Sequence, residues 1–169
     1  MSIPGRLACC SFLLMSGTFC SDAETDSIPL KVSVCDLYKS PEKYAGKMVE
    51  FRATVSGRRD PSVEQPAFTR QEPCSAYMSI ALEFPQNVRP RPAFDLERDA
   101  AFQKYEDAVQ KPMRIEVTLE GRFDPAFVWK DQKRTKVGEG NGYGKGHAAD
   151  ARIVLRKMSD VETRYMPRR

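Results

Sequence analysis

The chain holds one histidine, His147, and five cysteines, and these set the first limits on its chemistry. A His/Cys zinc site needs four such donors. With Cys9, Cys10 and Cys20 assigned to a leader, only Cys35 and Cys74 remain beside the lone imidazole. A serine triad would have to use His147 as its base, and no G-x-S-x-G stretch supplies the turn that exposes such a serine. A cysteine nucleophile would require Cys35 or Cys74 as a free thiol. Glu116 and Glu120 could act as an acid/base pair, but they fall on the polar face of a strand, where a solvated surface is the ordinary role. Glycines at 138, 140, 142, 144 and 146 invite a phosphate-loop reading. That chemistry needs a strand directly before and a helix directly after, and the local pattern offers neither. The run therefore reads as a flexible loop in which His147 makes an ordering hydrogen bond. A hydrolase built on His147 is the third of three functional readings, and no cofactor is expected.

Binding is better served than catalysis. Trp129, Lys130, Lys133 and Arg134, followed by Lys136, form a basic cluster with an aromatic among them, and Arg58 and Arg59 form a second basic point. Cation with aromatic is the composition that tracks an anionic backbone while stacking on bases. The alternative is that these loops are charged only to stay solvated. A net charge of +4 permits contact with anionic surfaces without demanding nucleic acid.

The elements that would position these residues can be read from pattern. Ser33 followed by Asp36 has the form of a capping box, so a short helix through Cys35, Leu37 and Tyr38 is expected. Ser40-Pro41-Glu42 restarts a single turn that Gly46 ends. The period then changes from 3.6 to 2, with Val49, Phe51, Ala53 and Val55 on one face of a strand. A weak strand is expected around Ala67 to Arg70, and Met78, Ile80, Leu82 and Phe84 form another. Pro85 to Pro92 reads as a linker, since three prolines fix φ and remove donors. From Asp95 to Gln110 the pattern is helical, with Phe102, Tyr105 and Val109 on the apolar face. Met113 to Phe123 alternates as a strand. A loop of roughly 25 residues follows, long enough to be functional or mobile, before a last strand at Ala151, Ile153 and Leu155 and a basic tail.

That order predicts an all-β fold with one main helix: an OB-fold-like, five-stranded antiparallel barrel over residues 47–158, with the helix between strands three and four. Another small barrel or an α+β sheet is the alternative. In the barrel, Arg58 and Arg59 would lie between strands one and two, and Trp129 to Lys136 between strands four and five. Those are the loops with which such barrels grip oligonucleotides and oligosaccharides.

A chain of 169 residues, 41% apolar and 30% charged, is sized for one domain. Residues 1–23 read as an export signal, with Arg6, the apolar run ACCSFLLM, and Ser21 and Ala23 as the small-x-small site, leaving 24–169 as the domain. The apolar run is too short to span a bilayer, and the bulky Phe19 before Cys20 argues against a lipid anchor there. The alternative is a frayed terminus on a cytosolic protein. Export leaves Cys35 and Cys74, which could close a loop in an oxidising compartment. In a reducing one they would stand as buried thiols.

The stretch VCDLYKSPEKYAGKMVEFRATVSG resembles the opening motif of a group of uncharacterised exported bacterial OB-fold-like proteins. Similar motifs in that group are a cysteine ahead of a strand like MSIALEF and a glycine-aromatic-glycine segment with a histidine, here GYGKGH, leading into the final strand. This chain departs from the group in the Lys145-Gly146 insertion before His147. The resemblance implies export and a Cys35 to Cys74 bridge, and it lends no enzyme activity. The expectation is a non-enzymatic binding or interaction module of the envelope, its partner a protein or envelope component. The alternative is an anionic polymer held by Arg58, Arg59, Trp129, Lys130, Lys133 and Arg134.

Overall fold

The computed structural model describes residues 28–56, 61–63, 74, 76–111, 113–138 and 140–165. The proposed leader, Arg58 and Arg59, and the strand expected near Ala67 lie outside the described residues.

After the short strand β1 (Leu30–Lys31), helix α1 (Val34–Lys39) begins at the expected capping box. The Asp36 amide donates to Ser33 Oγ (3.1 Å), and the Ser33 amide donates to Asp36 Oδ2 (2.9 Å). These hydrogen bonds hold the Asp36 carboxyl below its ordinary 3.8, the backbone donor first and the Ser33 hydroxyl second. A depressed carboxylate contributes stability above its unfolded pKa and loses it as pH falls through the folded value. Ser33→Ala should therefore cost about 1 kcal/mol at pH 7. The gap should narrow below about pH 4, the unfolded carboxylate range, and urea unfolding at pH 7 and pH 3 measures both.

Helix α1 buries Val34, Leu37 and Tyr38, and α2 (Pro41–Tyr44) follows with proline in its first turn. Gly46 then takes φ +72°, a left-handed conformation that suits glycine. Tyr38 is 1% exposed, and its hydroxyl is the one buried side-chain polar atom among the described residues that finds no hydrogen-bond partner. Burial pushes its pKa above the ordinary 10. An unmade bond at a buried hydroxyl costs more than its absence. Tyr38→Phe is accordingly expected to leave stability unchanged or raise it by about 1 kcal/mol. A loss of that size in urea unfolding would overturn the assignment.

The long strand β2 (Met48–Ser56) buries Val49, Phe51, Ala53 and Val55 as the alternation requires. It pairs antiparallel with β6 (Met113–Pro125), which in turn pairs antiparallel with the 15-residue β9 (Ala151–Tyr165). β6 alternates cleanly, its odd-numbered residues from Ile115 onward buried. Its ladder with β9 shifts register at Glu120/Gly121. A Cβ on Gly121 would collide with the Val154 carbonyl, so the close approach there needs glycine. On the outer face, Arg52 pairs with Glu162, and Arg156 with Glu120.

The antiparallel five-stranded OB-fold barrel is not what forms. With β3 (Ser62–Val63) and β5 (Ile80–Glu83), the main sheet is six-stranded and mixed, in the order β1-β2-β3-β5-β9-β6, with β2 also paired to β6. β5 runs parallel to β9, from Ile80 opposite Ala151 to Glu83 opposite Val154, and β1 lies parallel to β2. The return from β5 to β2 passes through β3, a two-residue link rather than a full stave of a closed cylinder. A second sheet of three strands, β4 (Ala76–Tyr77), β7 (Phe127–Lys130) and β8 (Lys133–Lys136), stands apart from it. Burial pattern marks which face of a strand is inside but not its neighbour or its direction, so parallel pairing left no trace in the alternation.

Helix α3 (Ala100–Val109) lies between β5 and β6 in the chain and packs against β6 and β9 through Phe102, Tyr105 and Ala108. It begins later than the pattern suggested because Asp99 caps it, accepting from the amides of Ala101 and Phe102 (3.0 Å each). The stretch read as a linker contributes the buried Pro85 and Val88. Cys35 and Cys74 are joined, their Cα atoms 5.5 Å apart, tying α1 to the start of β4. Among the described residues no helix is long and apolar enough to cross a membrane.

Candidate functional site

The loop expected after β6 instead folds back as the β7–β8 hairpin. Its turn residues Asp131 and Gln132 have φ of 49° and 62°, the left-handed pair that suits a two-residue hairpin. Cross-strand pairing sets Trp129 opposite Arg134 and Lys130 opposite Lys133, so four of the six expected binding residues do come together.

A buried carboxylate pins that hairpin to the main sheet. Asp150, 5% exposed, sits where the chain returns to begin β9. Its Oδ2 accepts from the Ser79 amide (3.2 Å), the Ser79 hydroxyl (3.0 Å) and Trp129 Nε1 (3.2 Å). Its Oδ1 accepts from Arg134 Nε (2.9 Å). Four donors replace the water that burial removes, which is what a buried charge requires. The Asp150 carbonyl accepts from the amides of Ala126 (2.8 Å) and Phe127 (2.9 Å), so backbone and side chain hold the same junction. The Arg134 guanidinium also lies 3.8 Å from the Phe127 ring centroid. Trp129 and Arg134 therefore turn their polar groups inward to Asp150. Lys130, Lys133 and Lys136 are exposed, with no ion pair among the described residues.

Beside Ser79 opens a cleft of about 500 Å³. Ala81, Leu82 and Phe84 contribute its apolar floor, and the Tyr143–Ala149 loop forms one wall, with Pro61 and Ser62 among the other residues that line it. The wall is tied down. Tyr143 and Ala149 exchange backbone hydrogen bonds (2.8 and 2.9 Å), and the His147 amide donates to the Gly144 carbonyl (3.2 Å). His147 Nδ1 lies 3.1 Å from the Gly142 carbonyl and donates to it in the tautomer protonated there, the ordering role expected of this residue. The Gly144 amide donates to Glu83 Oε1 (3.0 Å), while Glu83 Oε2 pairs with Arg152 (3.1 Å). Arg152 reaches on to Asp124 (2.9 Å), which also pairs with Arg122 (3.0 Å), and its guanidinium lies 4.6 Å from the centre of the Tyr143 ring. Burial, followed by the Asp124 charge, raises the Tyr143 pKa. The glycine run is thus a folded wall, with Gly142, Gly144 and Gly146 at positive φ.

Cys35 and Cys74 are bonded to each other, so neither is a free thiol. Among the described residues no three of His, Cys, Asp or Glu are grouped to hold a metal ion. Sequence reasoning missed the cleft and Asp150. The only trace of the latter is a single acid set among small residues in Ala148-Ala149-Asp150-Ala151. No family model matches the chain, and neither a curated protein nor a solved structure compared with it does so.

Proposed function

We propose that this protein is a non-enzymatic binding module, exported into the oxidising space of a bacterial envelope, that recognises its ligand on the face where the cleft adjoins the β7–β8 hairpin. The observation that carries the reading is the Asp150 carboxylate, which holds Ser79 of the cleft and Trp129 and Arg134 of the hairpin at once. A concave, largely apolar slot with few polar groups and a bonded frame is the usual form of a ligand site. The Cys35–Cys74 bridge favours a compartment in which disulfides persist.

Two measurements test it. Non-reducing mass mapping of the protein secreted from cells making the full chain should find a new N-terminus after Ala23 and a Cys35–Cys74 peptide pair. Retention of the whole chain in reduced form inside the cell would overturn export. Screening the oxidised protein against fragment-sized molecules by amide NMR should concentrate shifts at Ala81, Leu82, Gly144 and Ala149. Hits scattered over unrelated surfaces would overturn the assignment of the face.

One observation favours a second reading, an anionic polymer on the hairpin: Lys130, Lys133 and Lys136 crowd two paired strands and are all exposed. Binding of heparin or single-stranded DNA should then weaken steeply with salt. Each lysine replaced by alanine should lower the log–log salt slope by about 1. Salt-independent binding, or a slope unchanged in the triple variant, removes that reading.

A further inference from the structure

Resting on the cleft as the recognition site, we propose that it takes a small organic anion, with an aryl or medium-chain acyl body on the floor and one carboxylate or sulfonate at the Lys145 end. Size comes first. About 500 Å³ lies within the range of sites for small molecules and is too little for a folded partner. Ala81, Leu82, Phe84 and Ala148 offer a body of that size an apolar seat.

Charge decides the other end. Of the described residues that line the cleft, only Glu83 and Lys145 are ionised. Both Glu83 oxygens are occupied, one by the Gly144 amide at 3.0 Å and the other by Arg152 at 3.1 Å. Lys145 is exposed and has no ion pair among the described residues. Among its described residues the cleft therefore presents one uncommitted positive charge and no uncommitted negative one, which discriminates between an anion and its neutral isostere. Asn87 and Ser62, also in the lining, can add hydrogen bonds to a bound oxyanion. The wall that carries Lys145 is fixed by Gly144, whose amide is held and whose φ is +69°, so the ammonium stands on a preformed support.

The probes are 8-anilinonaphthalene-1-sulfonate and its uncharged relative N-phenyl-1-naphthylamine, titrated by fluorescence into the oxidised full-chain protein. The expected result is saturable one-to-one binding of the sulfonate, weakened at least about tenfold by Lys145→Glu and less by Lys145→Ala, since a charge-assisted contact is of that order. The neutral probe should not respond to either change, and Ala148→Trp, which fills the slot from an exposed loop position, should abolish both. Unfolding midpoints matching the parent show that these variants fold. If Lys145→Glu leaves the sulfonate unaffected while Ala148→Trp still blocks both probes, the anion is overturned and the cleft stands. Binding that survives Ala148→Trp, or no saturable binding of either probe, overturns the cleft with it.

Discussion

Replacing Cys35 and Cys74 together by serine lowers the free energy of unfolding by about 4 kcal/mol, the value the chain-entropy account gives for a bridge between residues 39 positions apart. The bridge acts on more than loop closure. Helix α1 sits over the core through Val34, Leu37 and Tyr38, and its cysteine is the covalent tie between that helix and the start of the second sheet. Urea unfolding of the oxidised parent and the double serine variant, compared at equal slope, measures the difference. A loss below about 1 kcal/mol would mean that core contacts alone hold α1, because the entropic contribution would then be missing.

Asp150→Ala is expected to cost about 3 kcal/mol, since removing one partner of a buried charge pair strips its donors of that charged acceptor. Four donors lose their acceptor at once: the Ser79 amide and hydroxyl, Trp129 Nε1 and Arg134 Nε. The figure is set at the low end of the range for buried pairs because Arg134 is 38% exposed and regains water when released. Asp150→Asn keeps an acceptor oxygen and should lose about half as much, its charge-assisted bond reduced to a neutral one. Faster hydrogen exchange at the β7 and β8 amides should accompany the loss. If exchange there is unchanged, the carboxylate does not anchor the hairpin.

What the sequence made legible follows from locality. The capping box at Ser33, the turn at Gly46, the apolar faces of β2 and β6 and a helix within residues 95–110 are each written in a few adjacent residues, and each is present, the helix starting at Ala100 rather than at Asp95. The β7–β8 hairpin escaped because its turn is Asp-Gln rather than Asn-Gly and because β8 is Lys-Arg-Thr-Lys, exposed throughout and without alternation. The parallel pairing of β5 with β9 joins residues about seventy positions apart, so no local signal encodes it. The candidate site was half visible. Trp129, Lys130, Lys133 and Arg134 stood out by composition, yet their organising residue, Asp150, lies outside their cluster, and the alanines and glycine of the cleft have no chemistry to notice.

The position of β9 has a consequence for when this protein can fold. The last of the described strands lies between β5 and β6, not at an edge of the main sheet. A nascent chain that stops short of Ala151 leaves β5 and β6 each without that neighbour. The main sheet must wait for residues 151–165, and such distant pairing is slow to nucleate. Synthesis from the N-terminus therefore gives a main sheet that stays incomplete until residues 151–165 are made.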